Sequence, residues 1–310
     1  MTENDLFTRP ATFMGAPHGL PEQGCRAAIL GIPFDCGTHP FRIGSRQGPG
    51  AIREQSALVR PFQSELADYD VRERLRLVDC GDVVLTPSRI EDAFERIETA
   101  ATRILLAGAV PVGLGGDGSV SLPLMRAASR QHPGLVVLHV DSHTDAYPYE
   151  AEDRYNAATQ FTHAAEEQRV GAGSSTHVGL RGSTYTSGVY AHGRSLGYNL
   201  ITMREFMRRG QEEVLAELHE RMGDRPVYLS WDMDVFDPYC APGVCTPTWG
   251  GFTAREGLEF LRGLSGLDIV ALDVNTVSPP QDVGGMTAFL AAQVAYEALL
   301  LICDRPEAAR

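Results

Sequence analysis

The chain has 310 residues, 43% of them apolar, and a formal net charge of −13. That length accommodates one large α/β domain or two ordinary ones, and the apolar share can fill a large core. The acidic balance argues against nucleic acid or an anionic membrane as partner.

Residues 1–24 read as an N-terminal extension, polar and mixed in charge, without a signal-peptide pattern. Short apolar, β-branched runs then predict strands at 27–32, 75–78, 110–114, 135–140, 177–180, 199–201, 227–231 and 269–274. Helical periodicity marks 90–106, 122–131, 203–222, 254–264 and 288–301. This alternation, with no linker, repeat or low-complexity segment, predicts a single three-layer α/β domain over 1–310. Its eight-stranded sheet is expected to be mostly parallel, with helices on both faces. The last apolar stretch, 287–303, is interrupted by Gln293 and Glu297 and reads as a packed C-terminal helix rather than a bilayer span. The six cysteines are scattered without a C-x-x-C pair. Even Cys240 and Cys245, either side of a Pro-Gly turn, read as small buried hydrophobes, which fits a reduced, cytoplasmic protein. The glycine-rich loops at 31–37 and 44–50 match no phosphate-binding pattern, so nucleotide binding is not expected.

Two loops carry the chemistry. Asp141-Ser142-His143-Thr144-Asp145 follows the run at 135–140, and Asp232-Met233-Asp234-Val235-Phe236-Asp237 follows the run at 227–231. Both fall at C-terminal strand ends, where open α/β sheets place their sites. Extended-chain alternation points Asp141, His143 and Asp145 to one side and pairs Asp232 with Asp234. One such loop is commonly a turn or helix cap. Two together, one with a histidine, bring mutually repelling carboxylates into one crevice, and a divalent cation is the usual remedy. Mixed Asp/His ligation suits Mn²⁺, Ni²⁺ or Zn²⁺ better than Ca²⁺. His139 is assigned by strand parity to the face opposite Asp141's neighbours, as a core or supporting group.

These segments, together with Gly31-Ile32-Pro33-Phe34-Asp35, the 44–53 stretch, Gly115-Gly116-Asp117, Ala241-Pro242-Gly243, Thr246-Pro247 and Gly250-Gly251-Phe252-Thr253, resemble the ureohydrolases, the arginase and agmatinase family. The match runs over nearly the whole chain. The agmatinase-like branch, which includes guanidinobutyrases and metformin hydrolase, looks closer than arginase proper. The resemblance implies an arginase-like fold and two Mn²⁺ or Ni²⁺ ions whose bridging hydroxide attacks a guanidinium carbon. It further implies one metal on Asp141, His143, Asp232 and Asp234, and another on Asp141, Asp145, Asp232 and a histidine at position 118.

Three positions depart from that pattern. Position 118 is glycine. The proton-transfer histidine of the family becomes Ala157, and the glutamate that receives the guanidinium becomes Thr276. His163, on an expected helix, could in principle replace the missing imidazole. The losses imply at most one tightly bound Mn²⁺ or Ni²⁺ per chain, or none. The first reading is therefore a catalytically incomplete subunit that assembles with an active paralogue in a trimer- or hexamer-type complex, as in metformin hydrolase, acting on a small guanidino or biguanide compound. The alternatives are an active hydrolase with one metal and a reshaped pocket, and a ligand-binding protein without turnover.

Overall fold

The computed structural model describes residues 11–305, apart from 38 and 40. Its strands are β1 (Ala27–Ile32), β2 (Val78–Asp82), β3 (Val110–Gly115), β4 (Val136–Val140), β5 (Thr176–Leu180), β6 (Asn199–Thr202), β7 (Pro226–Asp232) and β8 (Asp268–Asn275). They form one eight-stranded sheet in the order β2-β1-β3-β8-β7-β4-β5-β6. Every pairing is parallel, so the sheet is wholly rather than mostly so. β1, β3, β4 and β5 are buried at every residue. That explains their continuous apolar runs, because a parallel sheet has no solvated face.

The helices are α1 (Gly48–Ser56), α2 (Val71–Leu75), α3 (Ile90–Leu106), α4 (Ser121–Gln131), α5 (Gln160–Glu166), α6 (Val189–Ser195), α7 (Met203–Arg209), α8 (Gln211–Met222), α9 (Ala254–Arg262) and α10 (Met286–Cys303). Strand alternation divides the core. Val136, Leu138 and Val140 of β4 join the cluster with Ile52 of α1, Phe260 of α9 and the residues of α10. Val137 joins the opposite one with Ile97 of α3, Met125 of α4 and Phe161 of α5. α10 is long and apolar enough to cross a membrane by length and composition, and 83% of it is buried inside the fold. Its one carboxylate, Glu297, is 1% exposed and takes a two-pronged hydrogen bond from Arg262 at 2.8 and 2.7 Å. That pairing makes a charge tolerable in a core helix.

Four expectations need correction. The strand expected at 75–78 starts later. Asp70 caps α2 by accepting from the Arg72 amide, Arg76 ends it in the left-handed region at φ 48°, and β2 begins only at Val78. The helix expected over 203–222 is two, broken at Gly210, whose φ is 85°. The loop expected at 44–50 ends early, because α1 begins at Gly48 and Pro49 sits in its first turn, where its missing N–H costs nothing. Of the expected extension, residues 1–10 lie outside the described residues. Beyond them Phe13 and Met14 are buried, and the Phe13 amide donates to Asp79 Oδ2 at 2.8 Å.

Candidate metal centre

The four central neighbours β3, β8, β7 and β4 end side by side, and the segments that leave them meet at one crevice. β4 delivers 141–145, β7 delivers 232–234, β3 leads into Asp117 and Gly118, and β8 into Thr276. The crevice opens into a cavity of about 320 Å³ lined by Asp35, Asp117, Gly118, His143, Asp145, Ala157, Asp232, Asp234 and Thr276, among others. Gly116 lets the β3 loop pass so close that a Cβ there would lie 2.1 Å from the Phe34 carbonyl oxygen. A larger cleft of about 480 Å³ at the β2 edge, against α3, contains none of the expected ligands.

On the β4–β7 side, Asp141, His143 and Asp234 each offer a ligand atom, all within 4.8 Å of one another. His143 Nδ1 lies 3.1 Å from Asp234 Oδ2 and 3.4 Å from Asp141 Oδ1. The Ser142 hydroxyl donates to Asp234 Oδ1 at 2.7 Å. Asp232, also buried, accepts from the Asp234 amide at 2.7 Å and from the Thr276 hydroxyl. Strand alternation is not what gathers these groups, since β4 stops at Val140 and the chain bends at once. Asp145 reaches the site through a left-handed backbone, φ 45°, and Thr276 does so at φ 65°. Non-glycine residues are uncommon in that region and are held there at some cost in strain.

His139 is the buried supporting group expected, but on the other side from the one assigned. It shares parity with Asp141, and its Nε2 lies 2.9 Å from Asp141 Oδ2, so it backs the site rather than facing away. Its Nδ1 lies 2.9 Å from His177 Nδ1. The contact with Asp141 Oδ2 is out of line for a hydrogen bond, leaving that buried oxygen without a hydrogen-bond partner. A cation would satisfy it.

On the β3–β8 side the arrangement differs. A Cβ at Gly118 would lie 2.7 Å from Gln160 Nε2 and 2.9 Å from Asp145 Oδ2. Position 118 therefore faces Asp145, and the space beside it holds the Gln160 amide, which donates to Asp145 Oδ2 at 2.6 Å. His163 does not swing in. Its Nε2 lies 2.6 Å from the Arg154 carbonyl oxygen, and its ring stacks 4.3 Å from that of Tyr149. Cys240 and Cys245 do not form a pair: Cys240 Sγ donates to the Asp237 carbonyl at 3.3 Å, and Cys245 Sγ lies 3.2 Å from Ser45 Oγ. Beneath both sides, Asp273 is 0% exposed and accepts from Ser121, Tyr228, Ser230 and Asn275. Sequence reasoning missed Gln160. Its only signal was an amide amid apolar residues, two positions after Ala158.

Burial pushes the Asp145 and Asp232 carboxyls well above the usual range, reinforced by Asp141 beside the first and by Asp234 and Asp141 beside the second. Burial also opposes ionisation of Asp141, but the attraction of the adjacent His139 and His143 rings outweighs it and holds that carboxyl well below its ordinary value. Burial works against the His143 imidazolium too, and Asp234 and Asp141 overcome it. Two carboxylates, Asp141 and Asp234, thus flank the His143 ring, and a proton on that ring stands where a metal cation would otherwise balance them. The residues fit one divalent cation there, with Asp232 adjacent. They fit a second less well: His139, Asp141 and Asp145 also offer ligand atoms within 4.8 Å of one another, but glycine at 118 adds none and an amide N–H occupies Asp145 Oδ2.

A profile of the arginase family matches residues 25–301. The guanidinopropionase of Pseudomonas aeruginosa is 38% identical over 301 residues, which cover 96% of this chain and 93% of that one. The structure of proclavaminate amidino hydrolase from Streptomyces clavuligerus superposes with a TM-score of 0.89 at 34% identity, covering 96% of this chain and 98% of that one. The formiminoglutamase of Trypanosoma cruzi, solved with Mn²⁺, superposes with a TM-score of 0.82 at 26% identity over 91% and 95% of the two chains.

Proposed function

The chain belongs to the arginase family, and from that premise we propose that it takes part in the metal-dependent hydrolysis of a C–N bond in a linear guanidino compound. The observation that carries this is the convergence of Asp141, His143 and Asp234 within 4.8 Å at the wall of a cavity large enough for a small substrate. In this reading Asp141, His143, Asp232 and Asp234 hold one Mn²⁺ or Ni²⁺. Such a cation supplies Lewis acidity and lowers the pKa of a bound water. Asp145 faces the same cavity and would serve there as a proton acceptor. The cavity wall also carries Asp35 and Asp117, both held by backbone amides, and Arg42, whose guanidinium is turned onto the Pro242 and Val244 carbonyls. Likeness to hydrolases of guanidino compounds along 96% of the chain supports turnover by this chain itself.

A second reading is favoured by the three substitutions. With Gly118, Ala157 and Thr276 in place of a ligand, a proton-transfer group and a guanidinium anchor, the chain acts as a partner of a complete paralogue within a trimer- or hexamer-type assembly. One experiment separates the two. The purified chain, loaded with Mn²⁺ or Ni²⁺, is assayed for urea, amine or ammonia release from a panel of guanidino compounds. Turnover that disappears in Asp232→Ala is the expected result. A loaded but inert chain overturns the first reading. Activity on co-expression with a complete paralogue that survives Asp232→Ala in this chain then establishes the second.

A further inference from the structure

We propose that Gln160 takes the place of a second cation in this chain: its side-chain amide holds Asp145 and fills the ground beside position 118, so the centre is committed to a single metal ion. The inference rests on the one-cation reading above and adds what enforces it.

Gln160 is the first residue of α5 and only 2% exposed. Its Nε2 donates to Asp145 Oδ2 at 2.6 Å. An amide N–H meets the carboxylate's need for a positive partner without bringing a charge. Its Oε1 is buried and has no hydrogen-bond partner among the described residues. An orphaned oxygen is unfavourable, so the amide's place is set by Asp145 and by the room that Gly118 leaves, not by its own full pairing.

The surrounding contacts hold the backbone of α5 that carries this amide. The Phe161 amide donates to the Asp145 carbonyl at 3.1 Å, the Thr162 hydroxyl to the Tyr147 carbonyl at 2.8 Å, and Arg126 grips Glu167 just beyond α5 at 2.8 and 2.5 Å. A side chain at 118 meets the amide first, because even a bare Cβ there would lie 2.7 Å from Nε2. Restoring a ligand at 118 therefore also requires the amide to give up Asp145 and move aside.

The test is the Mn²⁺ stoichiometry and affinity of four proteins: wild type, Gln160→Ala, Gly118→His and the double variant, each checked for folding by thermal melting. Gly118→His alone is expected to gain no tight second equivalent. The double variant is expected to bind a second ion about 10–100-fold more tightly than Gly118→His, the range typical when groups around a metal ligand change. Equal second-site affinity in those two variants overturns the proposal, and so does a double variant that gains nothing. Should Gly118→His fail to fold, Gln160→Ala adds no bulk and decides alone: about tenfold tighter second-ion binding than wild type is expected, and unchanged binding overturns the role of Gln160. A wild type that binds two tight ions, or none, instead sinks the one-cation reading, whatever the variants do.

Discussion

The two sides of the crevice share one sheet and differ in what they still contain. Between β4 and β7, carboxylates and an imidazole converge with their supporting groups, Ser142 on Asp234 and His139 behind Asp141. Between β3 and β8 the backbone scaffold is equally intact: the Asp117 side chain caps the Ser119 amide, and the Thr276 amide donates to the Gly116 carbonyl at 2.7 Å. Yet the ligand position is bare and an amide covers Asp145. The contrast teaches that scaffold and chemistry are separable. Close-packed glycines and capped turns position a site whether or not its reactive groups remain.

The largest effect should come from the β4–β7 side. His143→Ala or Asp234→Ala is expected to weaken cation binding by more than about 100-fold, because each removes a direct ligand, whereas Asp145→Ala should cost less than about tenfold. Competition titration against a chromogenic chelator measures both. Equal losses at Asp145 and Asp234 would break the comparison. A smaller effect is expected where the two sides touch. Thr276→Val keeps the shape and removes the hydroxyl that donates to buried Asp232, at a cost of about 1.5–3 kcal/mol to the metal-free protein in urea unfolding. A change under about 0.5 kcal/mol would mean that this hydrogen bond does not couple them.

The smallest effect concerns the anchor of α5. Burial opposes ionisation of Glu167, but Arg126 and Arg169 prevail and hold its carboxyl below the ordinary range. A carboxylate depressed in the folded state contributes stability above its unfolded value of about 4.3, and loses it as pH falls through the folded one. Arg126→Ala should therefore cost about 0.5–1 kcal/mol at pH 7, discounted for partial exposure, and progressively less below about pH 4. Melting curves across that range check it, and a cost that stays constant into acid would contradict the pairing.

Much of this was legible in the chain. Apolar runs ending in Asp141 and Asp232 announced both the parallel strands and the ligand loops, since both follow from burial on two faces. The β2 boundary was not, because a local cap at Asp70 and a left-handed Arg76 override strand propensity there. His139 was misplaced although its parity matched that of Asp141. Gln160 was out of reach, for its role depends on how α5 meets Asp145 in the loop after β4 and Gly118 in the loop after β3, which no local pattern reports. The reading that put an incomplete subunit first also meets a counterweight, since full-length likeness to working hydrolases favours the active one.

The central claim is that one side of the crevice binds a cation and the other does not. Anomalous diffraction from crystals of the Mn²⁺-loaded protein, collected at the metal's absorption edge, tests it most directly. The account predicts one peak, within bonding distance of Asp141, His143 and Asp234. A second peak of comparable height between Asp145 and position 118 would contradict it.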